Sequence, residues 1–208
     1  MLAPVLALLT GYLLGSLPTA YLVARIQTGK GLSGNIGGLN ALRSLGWSAA
    51  IAVVVVDIAK GALAVIMARY AFDVEPGWVW AAGIAAVSGH NWMVWLRFSG
   101  GKGMAAAIGV IGATTIIFSF GWVLLAIIAV ILAVFFITRN IVLGNAVALV
   151  FLPLLVWLAS ESAVHTAMAA MLVAVIAAKY APTALTDYRK RGLKTLGRDN
   201  LKPGKGTR

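Results

Sequence analysis

The sequence has no cysteine, two histidines and six acidic residues among 208. Without cysteine there are no disulfides, no thiolate metal ligands and no thiol nucleophile. So few histidines and acids leave little material for a metal centre, and we expect no cofactor. Charged residues make up 11% of the chain, whereas 61% of it is hydrophobic. Because a soluble domain of this length needs more charge to cover its surface, we expect an integral membrane protein.

Positive charge is abundant, but it is concentrated at one end of the chain. The formal net charge is +11, and nine of the 17 basic residues lie between Lys179 and Arg208, directly after the last apolar run. A basic segment beside a membrane span is typical of a topology signal and of contact with anionic lipids. We therefore expect no nucleic-acid partner. The pattern predicts a transmembrane domain over residues 1–180 and a basic cytoplasmic tail over 181–208.

The apolar runs predict an all-α protein with about seven transmembrane helices. A span needs roughly 20 residues, because a helix rises ~1.5 Å per residue across ~30 Å of hydrocarbon. Residues 103–138 are too many for one crossing, which predicts two passes that turn near 119–121. The run 141–178 divides in the same way at 159–162. The other three spans are 2–24, 47–68 and 77–96, and the first is expected to be retained rather than cleaved as a signal peptide.

The distribution of charge predicts an orientation for these spans. With seven crossings, fifteen of the 17 cations fall on one side of the membrane. The positive-inside rule makes that side cytoplasmic. The sequence therefore predicts a multi-pass membrane protein with its N-terminus outside and its C-terminus in the cytoplasm.

Two glycine-rich polar segments, residues 33–43 and 99–103, interrupt the apolar runs, and each carries one cation. Closely approaching backbone N–H groups and a Lys or Arg together form a favourable site for a phosphate. The predicted topology places both loops on the cytoplasmic side. Glycines also make tight turns between helices, so each loop by itself is consistent with either a phosphate site or a turn.

Asp57, Lys60 and His90 are ionisable residues within the predicted spans. Asp57 and Lys60 are three residues apart and share one helix face. Since a charge in mid-membrane costs ~2.5–3.5 kcal/mol, they form either a neutralised structural pair or a polar group in which Lys60 is a second phosphate contact. His90 lies ten residues before Gly100 of the second loop. It is either part of an aromatic belt with Trp92 and Trp95 or a hydrogen-bonding group or general base.

Taken together, these motifs resemble the bacterial PlsY membrane acyltransferases, which make lysophosphatidic acid from acyl-phosphate and glycerol 3-phosphate. Their order and spacing agree with the family over roughly the first half of the chain, and the resemblance implies the same seven-helix fold. The matching segments are residues 15–18, 33–40, 43–46, 57–61, 89–90 and 100–103, together with Phe98.

The resemblance implies location in a bacterial inner membrane and a cytoplasmic polar pocket that binds two phosphates, with acyl-phosphate, glycerol 3-phosphate and membrane lipids as partners. No metal or nucleotide is implied. The expected catalytic residues are Ser33, Arg43, His90 and Lys102. The expected phosphate-binding residues are Gly34, Asn35, Asn40, Gly100, Gly101 and Gly103. Lys60 is added to this set, because it is the possible second phosphate contact within its span.

The chain departs from the family pattern where its last helix ends. The family normally has an Arg-His motif there, with Asn and Glu following, whereas residues 179–183 of this chain read Lys-Tyr-Ala-Pro-Thr. A non-catalytic lipid- or anion-binding paralogue is therefore the alternative to acyl transfer. Small-molecule transport would require a polar path through the outer half of the spans, where the sequence offers few polar residues.

Overall fold

The computed structural model describes residues 2–32 and 36–191, apart from the side chains of 183–185 and 187–191. Three predicted site residues, Ser33, Gly34 and Asn35, and the tail from position 192 lie outside this description. The described residues form helices and connecting loops. The helices are α1 (Leu2–Gly15), α2 (Thr19–Thr28), α3 (Gly38–Leu45), α4 (Trp47–Tyr70), α5 (Pro76–Asn91), α6 (Met104–Ile117), α7 (Trp122–Thr138), α8 (Ile141–Ser160) and α9 (Ala163–Arg191), with a 3₁₀ turn over Val94–Leu96.

The first apolar run is broken in the middle. The expected first span is present as the apolar stretch Leu2–Thr28, within which α1 ends at Gly15 and α2 begins at Thr19. Pro18 lies at the break, where it has no N–H to donate and its ring clashes with the preceding turn. The break therefore leaves backbone carbonyls in this region without their helical partners.

Part of the first glycine-rich segment is helical. We expected a loop throughout residues 33–43, but α3 begins at Gly38 and continues to Leu45. Ala41 and Leu42 are buried, and Ala41 belongs to a small apolar cluster with Val53 of α4. Burial of this apolar face against α4 outweighs the low helix propensity of Gly38 and Asn40.

Among the residues that the structure describes, four helical stretches are long and apolar enough to cross a membrane: Leu2–Thr28, Trp47–Tyr70, Ile141–Ser160 and Ala163–Pro182. The predicted division of the run 103–138 is confirmed, because α6 ends at Ile117 and α7 begins at Trp122. These two apolar helices have 14 and 17 residues, and α5 has 16. The fold is thus that of an all-helical membrane protein. The α9 helix runs past position 180, and the domain boundary placed there stays a prediction.

The central helix of the bundle is α5, which packs against α1, α4, α6 and α9. At its contact with α1, a Cβ added to Gly11 or Gly15 would overlap the backbone carbonyl of Ala82 or Ala86. Such close approach through small residues is typical of helix pairs in membranes, where apolar area alone drives little association. The packing fixes the C-terminal end of α5, around which the second glycine loop folds.

Candidate active site

The second glycine loop wraps around the C-terminal end of α5. The N–H of Gly101 donates to the carbonyl of His90 at 3.0 Å. A Cβ at Gly100 would stand 2.7 Å from the carbonyl oxygen of Asn91. Gly103 has φ +75°, a left-handed conformation that favours glycine, and it directly precedes α6. These contacts place the loop against α5 with no room for side chains at the three glycines.

The two glycine-rich segments meet at Gly101. A Cβ there would overlap Nε2 of His90 and stand 2.6 Å from the carbonyl oxygen of Ile36. Ile36 lies in the first segment, two residues before α3, so both segments lie at the same end of the helices. The N–H of Gly101 is donated to the His90 carbonyl, and the close approach of the two segments requires glycine at this position. The phosphate-binding role of Gly101 stays a prediction.

His90 is buried beneath the second loop, with a relative exposure of 3%. Its Nδ1 lies 3.6 Å from Oδ1 of Asp57, and its Nε2 lies against Gly101. Both ring nitrogens therefore face protein atoms. The imidazole packs against the buried side of the loop at Gly101. Its catalytic role stays a prediction.

The predicted pair of Asp57 and Lys60 is present on one face of α4. The Lys60 ammonium lies 2.9 Å from Oδ1 of Asp57, and both side chains have a relative exposure of 3%. The same ammonium donates a hydrogen bond of 3.2 Å to the carbonyl of Leu17, at the break between α1 and α2. The pair is thus neutralised internally, as the first interpretation predicted. The second, a phosphate contact by Lys60, stays a prediction.

Lys102 of the glycine loop is half-buried, and its side chain contacts α9. Its ammonium stands over the ring of Tyr180, 4.5 Å from the centroid. The neighbouring Lys179 stands over the ring of Trp92 at 5.4 Å. The Trp92 carbonyl accepts the hydroxyl of Tyr12 at 2.7 Å. The segment in which the sequence departs from the family is therefore the one that contacts Lys102.

Two further predicted residues, Asn40 and Arg43, lie on α3. Arg43 is exposed and Asn40 is half-buried. Because α3 begins two residues after Ile36, the first segment brings both to the end of the bundle where Gly101 lies. Their convergence on Lys102 stays a prediction.

Asn91, the neighbour of His90, is not among the predicted site residues, and it has a relative exposure of 0%. A Cβ at Gly103 would stand 2.6 Å from its Oδ1. Within the described part of the chain, neither polar atom of its side-chain amide has a hydrogen-bond partner. The available signal was its position beside His90 at the end of an apolar helix.

The fold and the paired loops together define a multi-pass membrane protein with a cationic, glycine-lined site at one end of its helices. The sequence model of the family described as glycerol-3-phosphate acyltransferase matches residues 5–185. The chain belongs to this family, and the resemblance inferred from its motifs is confirmed.

Individual relatives agree with this assignment. The chain is 42% identical over 200 residues to glycerol-3-phosphate acyltransferase 1 of Dehalococcoides mccartyi, with 94% of each chain covered. It is 37% identical over 174 residues to the glycerol-3-phosphate acyltransferase of Synechococcus sp. strain CC9902, covering 81% of this chain and 83% of that one.

Among solved structures, the chain resembles PlsY, an integral membrane glycerol 3-phosphate acyltransferase, in its lysophosphatidic acid form. The TM-score is 0.79 at 27% identity, with 90% of this chain and 93% of that chain covered. The glycerol 3-phosphate form of PlsY matches with a TM-score of 0.78. By family and by fold, the chain is a membrane acyltransferase.

Proposed function

We propose that this protein transfers a fatty acyl group from acyl-phosphate to a hydroxyl of glycerol 3-phosphate, giving lysophosphatidic acid and inorganic phosphate. Its place would be phospholipid biosynthesis. The observation that carries the proposal is the meeting of the two glycine-rich segments at Gly101, beside Lys102, in a chain of this family. Two phosphates held side by side would bring the acyl donor and the acceptor hydroxyl together.

The proposed reaction requires little covalent chemistry from the protein. Acyl-phosphate is a mixed anhydride, so its carbonyl is already activated and phosphate is its leaving group. The absence of cysteine is compatible with this reaction, because no covalent nucleophile is needed. What remains is positioning and stabilisation of charge.

The cations and free backbone donors of the site supply that stabilisation. Lys102 and Arg43 would neutralise phosphate oxygens that otherwise repel each other. The first turn of α6 begins at Met104, directly after the second loop, and its backbone N–H groups have no carbonyl partners within the helix. Direct attack of the hydroxyl on the carbonyl would then release phosphate in a single substitution.

The proton of the attacking hydroxyl has two possible acceptors, His90 and the departing phosphate. His90 has a relative exposure of 3%, and both of its ring nitrogens face protein atoms. This burial favours the departing phosphate as the acceptor. In that case His90 contributes to the reaction by supporting the loop.

The proposal includes the orientation and location of the chain. We infer seven crossings of a bacterial plasma membrane, with the N-terminus outside and the paired loops and the basic tail in the cytoplasm. The excess of cations at the loop end supports this orientation. The fatty chain of the donor would lie among the helices, so the site must open sideways into lipid.

A direct assay tests the proposed function. Purified protein is incubated with palmitoyl-phosphate and glycerol 3-phosphate, and lysophosphatidic acid is measured; palmitoyl-CoA in place of palmitoyl-phosphate is expected to give no product. The variant K102A is expected to lose about 10²-fold or more in kcat/KM, because it removes a donor to developing charge. R69A is the control, since Arg69 is a cation in the last turn of α4, whereas the first glycine-rich segment lies before the start of that helix. Binding of palmitoyl-phosphate without turnover by the wild type would instead indicate the non-catalytic alternative.

A further inference from the structure

A series of polar contacts runs beneath the second glycine loop. Lys60 of α4 donates to the Leu17 carbonyl at the break in the first helix and lies 2.9 Å from Oδ1 of Asp57. The same carboxylate oxygen lies 3.6 Å from Nδ1 of His90. The opposite side of the imidazole lies against Gly101, where the two glycine-rich segments meet.

We propose that Asp57 is a positioning residue for acyl transfer, acting through the His90 ring to hold Gly101 at the place that the reaction requires. Gly101 adjoins Lys102 and contacts the carbonyl of Ile36, so the position of Gly101 determines how the two glycine-rich segments lie relative to each other. Lys60 is the counter-charge that keeps the Asp57 carboxylate from repelling bound phosphates. This inference rests on the proposed function. It adds Asp57, which lies outside the phosphate pocket, to the residues on which that function depends.

An ion pair that contributed only to stability would not need the further contacts of Asp57 with His90 and of His90 with Gly101. Buried ion pairs are often replaceable by apolar residues without loss of stability, because desolvation offsets much of their attraction. Here a single carboxylate oxygen faces both Lys60 and His90, from neighbouring helices. Asn91, a fourth buried polar residue, lies against the same loop at Gly103. The polar groups are thus gathered under the part of the chain where position matters for the chemistry.

Because Asp57 and Lys60 carry opposite charges, we expect their substitution to affect different kinetic constants: kcat for Asp57 and KM for Lys60. D57N keeps the shape of the side chain but weakens its hold on His90, and a displacement of about 1 Å costs up to about 10²-fold in rate. We expect its kcat to fall about tenfold to a hundredfold, with KM for glycerol 3-phosphate unchanged or lower because Lys60 remains charged. K60M leaves the carboxylate uncompensated beneath an anion site, so KM is expected to rise about tenfold. A general loss of stability would not lower kcat without raising KM in D57N while raising KM in K60M.

A double-mutant cycle tests whether Asp57 acts through the imidazole ring. H90N keeps an amide nitrogen near the place of Nδ1, facing Asp57, but removes the ring atoms that contact Gly101. In the H90N background, we expect D57N to have no further effect on kcat. If D57N lowers kcat by the same factor in both backgrounds, the proposal is wrong. The control is D73N, which breaks an exposed ion pair with Arg69 of 2.9 Å just beyond the other end of α4.

Two further measurements separate positioning from folding and from the proposed function itself. If D57N does not fold in detergent, D57N/K60M removes both charges; it is expected to regain thermal stability without regaining kcat, and full recovery of kcat would overturn the inference. Hydrogen exchange in a peptide covering residues 99–103 is expected to be faster in D57N than in D73N, and equal exchange would count against positioning. Exchange needs no turnover, so it decides this inference even if the wild type fails to make lysophosphatidic acid.

Discussion

The substitution G101A tests the central contact of the site. An added Cβ would overlap Nε2 of His90, stand 3.0 Å from Cδ2 of the same ring and stand 2.6 Å from the Ile36 carbonyl oxygen. Ordinary contacts of a Cβ lie at 3.4–4 Å, so the ring and the carbonyl must both retreat. The surrounding atoms are a buried ring and a backbone segment, neither of which is the free end of a flexible side chain. We therefore expect the two glycine-rich segments to separate by about 1 Å.

The expected loss follows from this displacement. A misplacement of about 1 Å can cost 10²-fold in rate, which corresponds to about 2.7 kcal/mol of transition-state stabilisation. Overpacking adds a cost in stability of about 1–3 kcal/mol. The assay is kcat/KM with palmitoyl-phosphate and glycerol 3-phosphate, together with thermal unfolding in detergent. A folded G101A protein with kcat/KM reduced about a hundredfold is the expected result.

The matched control is G121A, in the turn between α6 and α7. The nearest atom to a Cβ at Gly121 is Cγ1 of Ile116, at 3.9 Å, and the backbone there has φ −56°. Alanine fits this space and this conformation, so G121A is expected to retain the kcat/KM of the wild type. Equal activity of G101A and G121A would refute the reasoning, because the segments would then not need their close approach.

Three further predictions concern other contacts of the bundle. Y180F is expected to preserve KM because it keeps the ring under Lys102, whereas Y180L loses a cation–π contact of about 0.5–2 kcal/mol and raises KM by about 2- to 30-fold; an unchanged KM in Y180L would contradict this. H165L removes the acceptor of the buried Trp80 N–H, a hydrogen bond of 2.8 Å, and is expected to lower the free energy of unfolding by about 1–3 kcal/mol without changing kcat. G15A forces a Cβ onto the backbone of α5 and is expected to lower stability by about 1–3 kcal/mol, measured as a lower Tm in detergent.

Several elements of the fold were accessible from the sequence because they depend on local patterns. The split near residues 119–121 follows from the length of an uncharged run against the thickness of a bilayer. The pairing of Asp57 and Lys60 follows from helical spacing and from the cost of an isolated charge in hydrocarbon. Both predictions use only the period of the helix and the properties of the membrane.

Other elements depend on tertiary packing and were not accessible. The glycines of residues 33–43 indicated a loop, and only burial of Ala41 and Leu42 makes α3 a helix. The contact of His90 with Asp57 joins two helices whose relative rotation no local pattern fixes. The position of Tyr180 under Lys102 likewise depends on where α9 crosses the bundle.

The contacts beneath the glycine loop account for the joint occurrence of separate motifs. At the break beside Pro18, the carbonyl of Leu17 accepts the N–H of Thr19 and also the Lys60 ammonium, which places that charge at the break. A buried ammonium requires a counter-charge, which Asp57 provides. The carboxylate in turn faces His90, whose ring leaves no room for a side chain at residue 101. A change at any one of these residues thus reaches, through these contacts, the loop that contacts the first glycine-rich segment.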